Sequence, residues 1–525
     1  MTLYHWFIFF LGVQLIHYLG TWKLYEKAGR KGWEAAIPIY NSIVLMKIIN
    51  RPTWYTFLLF IPVINLIMFP IVWVETLRSF GKNKTIDTFL GVVTFGFYIY
   101  YINYTQDVKH IADRSLKAKN TTADTISSLL FAVIVATFVH TYFIQPYTIP
   151  SSSLEKSLLI GDFLFVSKVN YGARIPKTAI AAPMVHDTLP LINKKSYSSW
   201  PQIPYFRLPG FEKIKNNDIV VFNWPRDTLF NMYLPADKRY DKPIDKKTNY
   251  VKRCVGIPGD ELQIKDGIVF INKKELILPE RAKPQYSYKL VYDGKTPIDF
   301  DFLLKDMKIT DGIDYVSELK DTIGIRALTK ENVERFKSIP GIINVIQVIR
   351  KGPEDGIFPD FQDGNPSVTN NWSCDNFGPI YIPQAGKTIS LNTKTLPFYK
   401  IIISEYEGNK LKVVGNDIYI NDKKTTSYTF KQNYYWMMGD NRHNSLDARY
   451  FGYTPEDHIV GKPVFIWMSW DTNGKGINKV RWDRVFTTVN GEGQPQSYFK
   501  YFLIALGLYF VGEYFWKKRK AKKTV

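Results

Sequence analysis

Residues Ser127–Gln145 (SSLLFAVIVATFVHTYFIQ) contain no Asp, Glu, Lys or Arg. About 20 mostly apolar residues suffice to cross a bilayer as a helix, so this run constrains the chain more than any other feature. It is expected to span a membrane, and whatever follows it begins at the membrane surface. Four further runs read the same way: Leu3–Thr21, Trp54–Val74 with Pro62 and Pro70 as kinks, Ile86–Tyr104, and Tyr498–Trp516, interrupted by Lys500 and Glu513. No Lys or Arg precedes Leu3 and no small-residue cleavage site follows Thr21, so the first run reads as a retained helix, not a removable leader. Gly32–Asn50, with Glu34, Pro38 and Lys47, reads as interfacial or re-entrant.

Lys plus Arg is 68 and Asp plus Glu 48, a formal charge of +20. In a soluble protein that excess would suggest nucleic acid, but many of these charges flank the apolar runs. Lys23, Lys27, Arg30, Lys31, Lys47 and Arg51 follow the first, Lys109, Arg114, Lys117 and Lys119 the third, and Lys517, Lys518, Arg519, Lys520, Lys522 and Lys523 the last. Only Arg78, Lys82 and Lys84 follow the second. By the positive-inside rule the first three groups are cytoplasmic, leaving the N-terminus and Pro146–Ser497 outside, as five crossings require. The basic tail is then a topology anchor, and no nucleic-acid partner is expected. Aromatic residues at 16% exclude a disordered chain, and two cysteines exclude a disulfide scaffold.

The expected organisation is a membrane module of three helices over 1–126, a helix over 127–145, a catalytic core in two parts, 146–260 and 433–497, around a β-rich insertion over 261–432, then a helix over 498–516 and a basic tail over 517–525. Short β-branched and aromatic runs such as Phe163–Lys168 and Asp218–Trp224 read as strands. Asp266-Gly267 and Gly415-Asn416 read as turns of two hairpins. Thr329–Arg350 reads as a helix with Thr329 as N-cap and Pro340 interrupting it, and Asn365–Pro379 as a loop.

No phosphate-binding glycine loop and no His-Glu-x-x-His stand in the chain, so no metal or organic cofactor is expected. Of seven histidines, only His186, His443 and His458 fall in the external part, none in a recognisable triad motif, and His443 reads as a surface turn residue. Three patches remain. Ile149–Asp162 (IPSSSLEKSLLIGD) directly follows the membrane run; alone, it is either a juxtamembrane linker or a nucleophile loop. In Asn249–Asp260 (NYVKRCVGIPGD), strand alternation turns Lys252 and Cys254 one way and Val251 and Arg253 the other. A lysine turned into a core loses solvation, its pKa falls, and the free amine can serve as a base; an exposed edge-strand lysine is the alternative. Cys254 could pair with Cys374 or be a small buried residue. Gly439–Gly452 (GDNRHNSLDARYFG) carries Asp440, Arg442, Asp447 and Arg449, which can form a salt-bridged turn from which Ser445 reaches an amine.

In this order the patches resemble bacterial type I signal peptidases, the Ser/Lys endopeptidases. Pro150-Ser151-Ser152-Ser153-Leu154-Glu155-Lys156-Ser157-Leu158 with Gly161-Asp162, Asp218–Phe222, Tyr250–Asp260 and Gly439–Arg449 match the family's four motifs. The matches depart from the family at Leu154, where it has Met, at Lys156 and Ser157, where it has Pro and Thr, and at Asn216-Asn217, where it has Arg-Gly. The expected fold is membrane-anchored and mainly β: the resemblance implies a signal-peptidase-type catalytic domain, while the apolar runs and the segment 261–432, which the resemblance does not cover, add about five transmembrane helices and a large β-rich insertion. The resemblance implies Ser153 as nucleophile, Lys252 as general base, Ser151 as an oxyanion donor, Ser445 as a hydrogen-bond partner of the lysine, and Asp440, Arg442, Asp447, Arg449 and Arg253 as structural support. It places Tyr147, Ile149, Leu154, Leu158, Leu164, Val221, Tyr250 and Val251 along shallow pockets for Ala-x-Ala; the same residues also read as plain core. The implied partners are exported preproteins with their signal peptides, the lipid bilayer and the secretion translocon. The implied location is the bacterial cytoplasmic membrane, multi-pass, with the catalytic domain on the periplasmic side.

Overall fold

The computed structural model describes residues 1–117, 120–230, 238–296, 299–315, 321–360 and 371–522. Lys119, Lys523 and the first part of the expected 365–379 loop lie outside the described residues. The chain divides into two compact units.

The first unit comprises Met1–Phe143, Ala173–Leu208 and Leu229–Lys247. Its two long helices are Leu3–Lys27, capped by Thr2, and Thr121–Tyr142, capped by the Asn120 side chain on Ala123 N at 2.8 Å. Both are long and apolar enough to cross a membrane, and their apolar surface is almost wholly uncovered by protein. The second and third expected spans are not continuous. Tyr55–Leu58 ends before Val63, which stands at φ 70° and starts a new helix, Ile64–Ser79. The chain bends by 117° between Thr85–Val93 and Tyr98–Thr105. Gly96 in that bend has φ 84°, and a Cβ there would strike the Trp73 indole at 2.7 Å.

Polar contacts show where these broken segments lead. Arg51, Arg78 and Arg114 all pair with the buried Glu75, at 3.2 Å, 3.7 Å and 2.5 Å. Lys27 and Lys82 both donate to Gln106, at 2.8 and 3.1 Å. Five crossings would set Arg78 and Lys82 a membrane thickness away from Lys27, Arg51, Gln106 and Arg114. The expectation of five helices is therefore corrected: the second and third apolar segments fold back and end on one side. Run length cannot distinguish a crossing from such a return. Gly32–Asn50 forms a turn at Gly32–Ala35 and a helix Tyr40–Ile48, with Val44 and Met46 buried in the unit's core. The last run is one helix, Phe499–Lys522, in the second unit; it is not among the helices long and apolar enough to cross.

The second unit, Ile144–Gly172, Pro209–Thr228 and Thr248–Val525, is built on an antiparallel sheet. Its strands run in the order Ile144–Thr148, Asp162–Ser167, Ile459–Ser469, Ile219–Asn223, Asn249–Gly256, Tyr434–Met438 and Thr454–Pro455, with Thr487–Thr488 also paired to Ile459–Ser469. Ile219–Asn223 is buried along its whole length, which its unbroken apolar run anticipates. Pro146 sits on the edge strand, where a missing N–H costs no ladder bond. Between Gly256 and Tyr434 the chain adds further small sheets. Glu261–Lys265 pairs with Ile268–Ile271 through Asp266-Gly267, both at positive φ, and Leu411–Val414 pairs with Asp417–Ile420. The expected helix Thr329–Arg350 is shorter. Thr329 caps Lys330–Lys337, but after Pro340-Gly341 the β-branched run Ile342–Gln347 is a strand.

Candidate functional site

All residues of the site belong to the second unit. A short 3-10 turn, Ser152–Leu154, carries Ser153 between Pro150 and the sheet strand Asp162–Ser167. Strand Asn249–Gly256 carries Lys252, opposite Val220 in the register. Ser153 and Lys252, 99 residues apart, meet with Lys252 Nζ 2.5 Å from Ser153 Oγ. Lys252 is 5% exposed. Burial lowers its pKa to about 8; Asp447 and Asp440 oppose the fall and Arg449 adds to it. The amine also lies 5.5 Å from the Tyr250 ring centre.

The Ser152–Leu154 turn is clamped by the Gly439–Gly452 segment. Asn441 N donates to Ser153 O at 3.1 Å, Asn441 Nδ2 to Ser152 O at 3.2 Å, and Asn444 Nδ2 to Ser152 Oγ at 3.1 Å. A Cβ on Gly439 would lie 2.6 Å from Ser153 O, so glycine is needed for this approach. Arg253, on the opposite face of its strand from Lys252, grips both oxygens of Asp440 at 2.8 and 2.6 Å, and Ser157 Oγ donates to Asp440 Oδ2 at 2.6 Å. Burial pushes the Asp440 carboxyl up, but Arg253 and Ser157 outweigh it and hold the pKa below the usual range. Asp447 accepts from Arg449 at 2.9 and 2.8 Å and from Gly439 N at 3.0 Å, and its pKa is likewise low. Arg442 is buried, with Nη1 3.8 Å from Met438 Sδ.

Ser445 is buried beside Gly439, but its Oγ makes no hydrogen bond; the close partner of Lys252 Nζ is Ser153. Ser151 is exposed, and its side chain does not cap the turn. Tyr147, Ile149, Leu154, Leu158, Leu164, Val221 and Val251 belong to one apolar cluster with Ile219 and Ile466. Tyr250 stands outside it, stacked on Trp224 at 5.2 Å.

Cys254 and Cys374 are both free and buried, and burial raises both thiol pKa values, that of Cys374 to about 12. His443 is no surface turn residue: its side chain is 2% exposed. Its Nε2 lies 2.9 Å from both Asp375 oxygens, and Ser287 N donates to its Nδ1 at 2.9 Å. Among the described residues, Cys374, Asp375 and His443 bring three ligand-type atoms within 4.8 Å. Both imidazole nitrogens are already engaged there, so the group is a satisfied structural cluster.

Asn441, Asn444 and Ser157 were not singled out from sequence, although the first two lie inside the Gly439–Arg449 motif and the third inside the Pro150–Leu158 motif. Arg484 also escaped notice; its Nε lies 3.0 Å from Asp162 Oδ1, which fixes the Gly161-Asp162 turn. It lies outside every motif, and no local signal marks it.

A family model described as signal peptidase, peptidase S26, matches residues 122–316 and 381–470. A family of unknown function (DUF5684) matches residues 33–113. The chain is similar to signal peptidase I of Buchnera aphidicola subsp. Baizongia pistaciae, 23% identical over 366 residues, covering 69% of this chain and 82% of that protein. It is similar to signal peptidase I of Haemophilus influenzae, 24% identical, covering 69% and 75%. It is also similar to signal peptidase I of Helicobacter pylori, 23% identical, covering 70% and 92%.

Proposed function

The chain belongs to the signal peptidase family, peptidase S26, and we propose that Ser153 and Lys252 are the working pair of its serine endopeptidase site. Its function is that of a signal peptidase I, acting on the signal peptides of preproteins. The observation that carries the dyad reading is the 2.5 Å approach of a buried amine, with pKa about 8, to a serine hydroxyl.

In this reading neutral Lys252 takes the proton from Ser153 Oγ, and the alkoxide attacks the carbonyl at the end of the signal peptide. The Ser153 N–H and the Ser151 hydroxyl receive the oxyanion; one such donor is worth ~3 kcal/mol. Lys252 protonates the departing amine of the mature chain, then activates the water that hydrolyses the acyl ester. Ser445, with no other hydrogen-bond partner in its buried position, is available to orient the lysine as it moves. Asp440, Arg253, Asp447 and Arg449 keep the two loops in register. The close packing of Ile149, Leu154, Leu164 and Val221 favours small side chains at the cleavage site, as in Ala-x-Ala.

The same reading makes Leu3–Lys27 and Thr121–Tyr142 crossings of the bacterial cytoplasmic membrane. The contacts at Glu75 and Gln106 then gather the basic loops on the cytoplasmic side, and the catalytic unit is periplasmic. A membrane segment as substrate meets Ser153 in a near-intramolecular encounter. The secretion translocon, which would deliver it, is the expected partner.

The test is incubation of the detergent-solubilised protein with a preprotein, followed by N-terminal sequencing. A new N-terminus directly after Ala-x-Ala is expected, absent with Ser153→Ala and with Lys252→Ala. Cleavage that survives either substitution would refute the dyad.

A further inference from the structure

Ala173–Leu208 forms a long ribbon within the first unit. Its arms are tied by Ile175 N to Phe206 O at 2.9 Å, Ile203 N to Lys177 O at 2.7 Å, Ala182 N to Ser196 O at 2.7 Å and Leu189 N to Lys194 O at 2.8 Å. One side is backed by the turn Ile244–Lys246: Thr178 Oγ1 donates to Asp245 at 3.0 Å and Lys246 Nζ to Val185 O at 3.1 Å. The rest of the ribbon carries an unusual load of exposed apolar groups. Trp200 is 70% exposed and Leu191 at the tip fully so, and Ile180, Ile192, Tyr205 and Phe206 are exposed as well. A soluble surface rarely gathers so many on one element.

Two contacts fix the ribbon's height against the helices. At its base, Ala173 and Ile175 pack into the core cluster that contains Tyr142, the last residue of Thr121–Tyr142. Farther along, Trp6 Nε1 in the first turn of Leu3–Lys27 donates to Gln202 O at 3.0 Å. The ribbon thus runs across the ends of both long helices. If those helices span the bilayer, Trp6 and Tyr142 mark the level where hydrocarbon meets headgroups, which is where Trp and Tyr concentrate. Ser198 N donates to Ile180 O at 3.0 Å, so Ile180 and Trp200 lie close together on the paired arms, near Gln202.

We infer that the Ala173–Leu208 ribbon is a lipid-docking element, with Trp200, Ile180, Tyr205 and Phe206 seated in the outer-leaflet interface of the membrane that its own helices cross. This rests on the membrane-anchoring part of the proposed function. Burial of apolar side chains at an interface, together with headgroup contacts from Lys177 and Lys194, supplies the binding.

The experiment places an environment-sensitive NBD fluorophore on Trp200→Cys in the full chain, reconstituted in vesicles containing doxyl-labelled lipid. Leu15→Cys in the first helix and Asn473→Cys on the exposed 471–474 turn serve as lipid and water references. Cys254 and Cys374 are buried, and an unsubstituted sample measures their background labelling. Retained preprotein cleavage shows that each variant is folded. The label at residue 200 is expected to be blue-shifted and quenched by lipid at least about threefold more than that at residue 473, with or without preprotein. Quenching equal to that at residue 473, while residue 15 reads as lipid, would overturn the ribbon's role and leave the anchor intact. Shielding that arises only on adding preprotein would make the ribbon a polypeptide-binding surface and overturn it too. A water-like signal at residue 15 would overturn the anchoring itself.

Discussion

Lys252→Met should abolish cleavage and, at neutral pH, make the protein more stable. The lysine's pKa falls from 10.5 to about 8 through burial, and at about 1.4 kcal/mol per pH unit that costs the folded state ~3 kcal/mol. The native pKa is the depressed one, so between pH 8 and 10.5 the unfolded chain binds more protons and stability rises with pH. Below about pH 8 the full cost is present; above 10.5 it is gone. Methionine has a similar shape and removes the cost, together with the hydrogen bond to Ser153, worth ~1 kcal/mol. The net expected gain is ~2 kcal/mol at pH 7, shrinking to nothing or a slight loss by pH 10.5. Denaturant titration in detergent, read by tryptophan fluorescence at both pH values, measures it. A variant less stable than the parent at pH 7, by an amount that does not change with pH, would show a well-compensated ammonium and refute the desolvated-base account.

Asp440→Asn should strand the Arg253 guanidinium in the interior and cost ~3–5 kcal/mol of stability, seen as a lower denaturation midpoint; an unchanged midpoint would mean that the 2.6 Å pair is not a structural tie. Lys82→Cys and Lys27→Cys should react with a membrane-impermeant maleimide only from the cytoplasmic side. Reaction of Lys82→Cys from the periplasmic side would restore five crossings. Cys254 and Cys374 should both alkylate fully in denaturant without reductant, as free thiols, and resist alkylation when folded; a missing pair of reactive thiols would indicate a disulfide.

The meeting of Ser153 and Lys252 was legible because its signals are local. Pro150–Leu158, Tyr250–Asp260 and Gly439–Arg449 each gather their residues in about ten positions, but strand alternation left Lys252 either core-facing or on an exposed edge, and only the folded chain shows it buried. The support around them was only partly legible: the Arg253–Asp440 clamp joins residues 187 apart, and Arg484 reaches Asp162 from outside every motif. The membrane part misled for a physical reason. Hydropathy measures length and polarity, while Val63 and Gly96 reverse the chain through backbone conformation, and the outcome is visible only in which charges meet at Glu75. Thr329 was a correct helix start, but the helix stops because Pro340-Gly341 precedes a run that alternates as a strand.

The central claim is that a neutral Lys252 activates Ser153, and the dependence of kcat/KM on pH tests it most directly, because that ratio reports the free enzyme. With a preprotein substrate it should rise with unit slope through an apparent pKa of about 8 and then level. At pH 7 about one tenth of the plateau is expected, since about a tenth of the amine is then neutral. Lys252→Arg, which cannot lose its proton in this range, should be inactive throughout. A rise centred near the ordinary histidine value and removed by His186→Ala or His443→Ala, or a Lys252→Arg enzyme that still cleaves, would contradict the account.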